Sequence, residues 1–201
     1  MYYHASKTAG LVCLEPRVSN HGIPLVYLSS KRENVLVYLS NAVEKFCRET
    51  GFSHSGRWSK WGPYGFTETG ILRLEEYYPH ALEDTYRGVS AYIYSADPPR
   101  GLEKLEGIAD AYVSKEPVPV MGCEYIADAC DAILCAEKEG KIVIRRYEEM
   151  TPAQLAWIRD TAIQEYGDPQ TGPDYRHFLR GGFPFVEQEA GQEKRSREIK
   201  K

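Results

Sequence analysis

The chain has 201 residues, 42% hydrophobic and 27% charged, with a net charge of −4. That is apolar material for one core, and the acidic balance argues against a protein that grips many phosphates of a nucleic acid, which takes a basic excess. No run of eighteen apolar residues is present to span a membrane, and MYYHASKTAG at the start lacks the charged and apolar regions of a signal peptide, so a cytoplasmic location is expected.

Residues 2–4 open as a short strand. Leu11 to Leu14 form an apolar stretch that ends at Glu15-Pro16. Pro24 launches Leu25-Val26-Tyr27-Leu28-Ser29, a strand with alternating faces. Ser30 is placed to cap a helix in which Val35, Tyr38, Leu39, Ala42 and Phe46 recur at helical spacing, with Gly51 as its stop. Residues 51–70, rich in Gly, Ser and Trp, read as a loop or irregular hairpin. Ile71 to Tyr78 predict a strand broken by Pro79, and 80–86 a short helical turn.

Val89 to Ser95 predict a further strand, followed by a loop punctuated by Pro98-Pro99 and Gly101. Ala111 to Ser114 and Val118 to Met121 predict strands around Glu116-Pro117. Ile126, Cys130, Ile133 and Leu134 mark an amphipathic helix from Ile126 to Glu137, stopped by Gly140. Lys141 to Arg145 reads as an edge strand. Thr151-Pro152-Ala153-Gln154 starts a helix that runs to about Gly167, with a cap residue, proline at the first position and Gln three residues after the cap. The domain is expected to occupy 1–186, and the charged segment 187–201 to be a solvated tail. Strands joined by loops too short for regular helical crossovers argue for an α+β protein.

The five cysteines, Cys13, Cys47, Cys123, Cys130 and Cys135, are odd in number and fit no paired CxxC pattern. All five are expected to be reduced and mostly buried. The 15 tyrosines suit either a core opening into a polar cleft or half-buried strands. No GxGxxG and no GxxxxGK occurs, so a bound nucleotide is not held by a Rossmann or P-loop device.

The residues with chemical potential fall in order. Tyr3-His4-Ala5-Ser6 lies on the first strand, Val26-Tyr27-Leu28-Ser29 on the next, and Tyr38 on the helix after it. AYIYSADPPRG and AYVSKEPVPVMG follow later in the chain. In this order the motifs resemble ADP-ribosyltransferases of the PARP-like and rifamycin-modifying branches, over roughly residues 2–50 and 89–125. The segment 51–88 has no counterpart in the resemblance. It implies split antiparallel β-sheets with flanking helices, and NAD as a substrate whose ADP-ribose passes to an acceptor, a small molecule or protein rather than nucleic acid. In that reading His4 bonds the adenosine ribose, Ser6 lies by the nicotinamide ribose, Ser29 is a further cofactor-binding residue, and Tyr27, also a catalytic candidate, and Tyr38 sandwich the nicotinamide ring. Ala5 stands where the family has Gly, whose backbone meets the nicotinamide amide. The catalytic acid that would hold the ribose is expected at Asp110, with Glu116 and Glu106 as alternatives. Cleavage at the nicotinamide–ribose bond passes through an oxocarbenium ion, so such a carboxylate stabilises developing charge.

Each residue also has a plain structural reading: His4 as a core or edge histidine, Ser6 as a turn cap, Tyr27 as a strand tyrosine, Tyr38 as helix packing and Asp110 as a loop carboxylate. A catalytically silent nucleotide- or protein-binding module on the same fold is the alternative function. An unrelated α+β interaction protein is the third reading, and it would follow if His4 and Tyr27 lay on non-adjacent strands or faced opposite sides of the sheet. Weaker groupings are Cys13, His21 and Asp97 as a thiol site, His54 and His80 without metal-like partners, and Arg57, Trp58, Lys60 and Trp61 as an aromatic surface.

Overall fold

The computed structural model describes residues 1–18, 22–57 and 64–191. The N-terminal part runs β1 (Tyr2–Ser6), β2 (Cys13–Leu14), β3 (Arg17–Val18) and β4 (Pro24–Ser29), then a 3-10 helix (Glu33–Tyr38) and α1 (Ala42–Glu49). One continuous helix was the expectation here, and it is broken in two. Asn41 adopts an extended backbone and its side chain accepts the Glu44 N–H at 3.0 Å, so a new helix starts in the middle of the periodic stretch. Ser30 caps neither piece. Its N–H donates to the Asp110 carbonyl at 3.0 Å, and Arg32 holds the cap position of the 3-10 helix.

The chain continues through β5 (Tyr64–Phe66), β6 (Leu72–Glu75), α2 (Ala81–Tyr86), β7 (Ala91–Ala96), β8 (Glu103–Lys104), β9 (Ala111–Ser114), β10 (Val118–Pro119), β11 (Gly122–Ile126), α3 (Ala129–Lys138) and β12 (Ile142–Arg145). A 3-10 turn (Tyr147–Glu149), α4 (Pro152–Gly167) and α5 (Pro173–Gly182) complete the labelled elements. Residues 122–126 form a strand where the sequence reading began a helix at Ile126. The helix starts three residues later because Asp128 caps it, accepting the Asp131 N–H at 3.1 Å. The capping box at Thr151 forms as expected: Thr151 Oγ1 accepts the Gln154 N–H, and Gln154 Oε1 accepts the Thr151 N–H. Residues 186–191 are helical, with Val186 and Ala190 buried, so ordered structure runs beyond the expected boundary at 186; 192–201 lie outside the described residues.

The protein is mixed α+β. The large sheet has the order β11-β7-β1-β4-β9-β8, with β3 added beside β4, and every pairing in it is antiparallel. β10 and β2 form a second sheet. The third has the order β12-β6-β5, in which β12 is an edge strand parallel to β6.

One face of the large sheet packs Ile93, Ala91 and Ile126 against α3 (Cys130, Ile133) and the 3-10 helix (Val35, Leu36). The other packs Val26, Leu28 and Tyr94 against Leu14 and Val118 of the small sheet. A third cluster joins α1, α4 and α5 through Val43, Ile158 and Phe178. Here α1 and α5 approach closely at Gly181, where any Cβ would run into the Phe46 ring. All five cysteines are free thiols, but only Cys47 and Cys130 are buried, with Cys13 half-buried; Cys123 and Cys135 lie on the solvent side of β11 and α3.

Candidate functional site

β1 is paired with β7 along all five residues, yet with β4 only where Tyr3 faces Ser29. β4 keeps four consecutive pairs with β9. The large sheet is therefore forked between β1 and β4, opening toward Ser6. The Ser30 N–H points at β9. Strand alternation then turns the main-chain groups of Tyr27 toward β1 and those of Ala5 toward β4. Among the described residues Ala5 has no strand partner on that side. The Tyr27 carbonyl is taken by His4 Nδ1 at 2.8 Å.

A carbonyl only accepts, so Nδ1 carries the proton and Nε2 is the acceptor nitrogen of the neutral ring. Burial pushes the His4 pKa below the ordinary histidine value. The bond to Tyr27 opposes that shift and the Arg17 charge adds to it. A group with a depressed cationic pKa favours folding most when it is neutral. The stability it contributes is thus present above about pH 6.5 and is lost as pH falls from there through the folded-state pKa. His4 is expected to titrate below pH 6.5 in an NMR titration of the folded protein, and a midpoint at or above 6.5 would contradict this account.

His4 and Tyr27 sit on adjacent strands, but their side chains leave the sheet on opposite faces. His4 is registered with Tyr94, which packs with Leu28 and Val26, whereas Tyr27 alternates with those two residues. Only the fork, with its main-chain edges, lies between them. Two rows run across the sheet on the face of Ala5 and Tyr27: Ala5–Ile93–Glu124 on one bank and Tyr27–Val113–Glu103 on the other.

Glu124, which the sequence reading did not select, is thus the carboxylate in register with Ala5, about 10 Å away across two strand spacings. Arg32 grips it at both oxygens, Nε to Oε2 at 2.7 Å and Nη2 to Oε1 at 2.6 Å, and that bond holds its pKa below the ordinary value. Asp128 as a helix cap was the available signal, since it frees 122–126 to be a strand.

The expected acids lie elsewhere. Asp110 has a left-handed backbone, φ 56°, which aspartate tolerates. Its carboxylate accepts Ser30 Oγ at 3.2 Å and pairs with Lys31 Nζ at 2.8 Å. It latches the end of β4 to the start of β9, at the closed end of the fork. Glu116 lies in the turn after β9 with its side chain exposed, and Glu106 is exposed in the loop before Asp110.

Ser6 Oγ accepts the Thr8 N–H at 3.1 Å and Ser29 Oγ accepts the Lys31 N–H at 3.1 Å, so both serines make local turns. Tyr38 meets Tyr64 edge to face at 5.7 Å, with the two hydroxyls 2.6 Å apart. Cys13 lies on the two-stranded sheet, while His21, Trp58, Lys60 and Trp61 fall outside the described residues. His80 takes a left-handed backbone at the start of α2.

His54 belongs to a second polar cluster at the start of α5, a helix the sequence reading passed over. Asp174 is buried there and accepts Ser55 N–H at 2.9 Å, Ser55 Oγ at 2.6 Å and the Tyr175 N–H at 2.9 Å, with His54 Nε2 at 3.8 Å. Serine and histidine both address the carboxylate, so this is an anchor for the loop at 54–57 rather than a relay with a free nucleophile.

No helix among the described residues is long and apolar enough to cross a membrane. No protein-family model, curated protein or solved structure matches this chain.

Proposed function

We propose that the chain is an ADP-ribosyltransferase-like protein that binds NAD at the fork between β1 and β4 and transfers ADP-ribose to a small-molecule or protein acceptor. The observation that carries this reading is the fork itself. It leaves Ala5 with no strand partner on the β4 side among the described residues, in a strand that has full pairing on its other side. A free strand edge offers a donor and an acceptor side by side, the complement of a carboxamide such as that of nicotinamide. Neutral His4, with Nε2 as acceptor, takes a ribose hydroxyl as donor. The side chains of His4 and Tyr27 leave the sheet on opposite faces, which is the arrangement expected of an unrelated α+β interaction protein and favours that third reading; the NAD reading rests on the main-chain edges of the fork, not on the two side chains sharing a face. None of the expected acids reaches the fork; Glu124, about 10 Å from Ala5 with the buried Ile93 between them, is the carboxylate assigned here to the developing oxocarbenium charge, and the ribose must extend along that row to meet it.

Calorimetry with NAD tests the reading. Wild type is expected to bind saturably and His4→Ala at least about tenfold more weakly, the loss of one hydrogen bond to a buried partner. No heat at millimolar NAD from a folded protein would remove it.

The second reading, a catalytically silent binding module, is favoured by one observation: Asp110 is spent on Ser30 and Lys31 at the closed end of the fork. Binding without release of nicotinamide would select it.

A further inference from the structure

β11 is an edge strand. It pairs with β7 alone, and Cys123, Glu124 and Tyr125 are exposed along it. The main-chain groups on its outer side have no strand partner among the described residues. Beside this edge lies a groove of about 500 Å³ between β11 and α3. Its far wall is one helical stripe: Asp128, Asp131, Ala132, Cys135, Ala136 and Glu139, spaced at i, i+3, i+4, i+7, i+8 and i+11. The middle of the stripe is small, so the channel stays open. Its ends are acidic, and Glu124 and Glu33 add carboxylates from the near side. Each of these carboxylates has an ion-pair partner: Arg32 for Glu124, Lys141 for Glu33 and Glu139, and Arg87, outside the lining, for Asp128 and Asp131; the acids still outnumber these cations, so the groove keeps a net negative charge.

We infer that this groove docks an extended, basic segment of a partner polypeptide, which adds to the large sheet as a strand on the free edge of β11. Alternation along such a strand fixes its pattern. α3 packs on the face of Ile93 and Ile126, so every second side chain of the incoming strand meets the acidic stripe, and lysine or arginine suits those positions. The others lie on the opposite face beside the Tyr125 ring, which stands 5.4 Å from Tyr92 and takes an apolar neighbour. Main-chain bonds supply affinity and the charge pattern supplies selectivity, so an acidic strand of the same shape is rejected. Glu124 and Arg32 line both this groove and the proposed transferase site, so the docking is measured without nucleotide.

The test uses labelled protein of residues 1–201 and two blocked peptides, an alternating Lys-Val heptapeptide and its Glu-Val counterpart. Saturable binding of the Lys-Val peptide is expected. Amide shifts and exchange protection should centre on the outward amides of 122–126, with at least about tenfold weakening in 0.5 M salt. Glu139→Lys is expected to weaken binding while leaving the fold intact, since a cation at the end of α3 suits the helix dipole. If the Glu-Val peptide binds equally well, the charge argument fails. Shifts confined to other elements, no shift at millimolar peptide, or burial of β11 in a dimer of the free protein would each overturn the proposal.

Discussion

Glu124→Gln is expected to bind NAD within about threefold of wild type and to turn it over about 10²–10³-fold more slowly, the loss that follows removal of one group opposing charge in a transition state. The substitution keeps the shape of the side chain and removes only its charge. Arg32 sharpens the prediction. Its two bonds hold the Glu124 carboxylate ionised below the ordinary range. The acid limb of the turnover profile therefore lies below about pH 4.3, and Arg32→Gln moves it upward. Nicotinamide release measured against pH in the three proteins checks both parts. Full turnover in Glu124→Gln would sink the assignment and return attention to Glu103, the carboxylate in the row of Tyr27.

Asp174→Ala is expected to cost about 2–4 kcal/mol, because the donors of Ser55 and Tyr175 lose a buried partner. That corresponds to a fall in Tm of about 4–16 °C for a chain of this size. Burial alone would raise the Asp174 pKa, but the bonds from Ser55 and Tyr175, with the His54 charge, outweigh it and the net displacement is downward. A depressed carboxylate contributes stability that is present above its unfolded value, near pH 4, and is lost as pH falls through the folded value. Denaturant titrations of wild type should show that loss below about pH 4, and Asp174→Asn should flatten it. An Asp174→Ala protein as stable as wild type would remove the anchor role.

Much of the secondary structure was legible from local chemistry. Pro24 through Ser29 alternate as a strand should, and the box at Thr151 closes as its spacing requires. The errors have local causes too. Asn41 and Asp128 each start a helix, and both lie inside apolar patterns whose period says helix without saying where it begins. α5 has proline at its first position, and Phe178 and Leu179 on its buried side could have marked it.

The candidate site divides along the same line. His4, Ala5 and Tyr27 are visible as motifs because each lies in one short stretch of chain. Their relation is not visible, since the gap between β1 and β4 is a property of two strands that are separated in the chain by residues 7–23 and depends on which neighbours each strand keeps. Glu124 was hidden for the same reason: only the register of β11 on β7 and of β7 on β1 puts it level with Ala5. Asp110 looked free in the sequence, and tertiary contact with Lys31 commits it to a latch.

The amino-acid sequence by itself therefore determined the α+β class, the strands and caps set by adjacent residues, and the segments able to carry chemistry. The tertiary structure alone decided the fork, the register rows and the open edge of β11, because hydrogen-bond partners in a sheet are chosen across the chain and not along it.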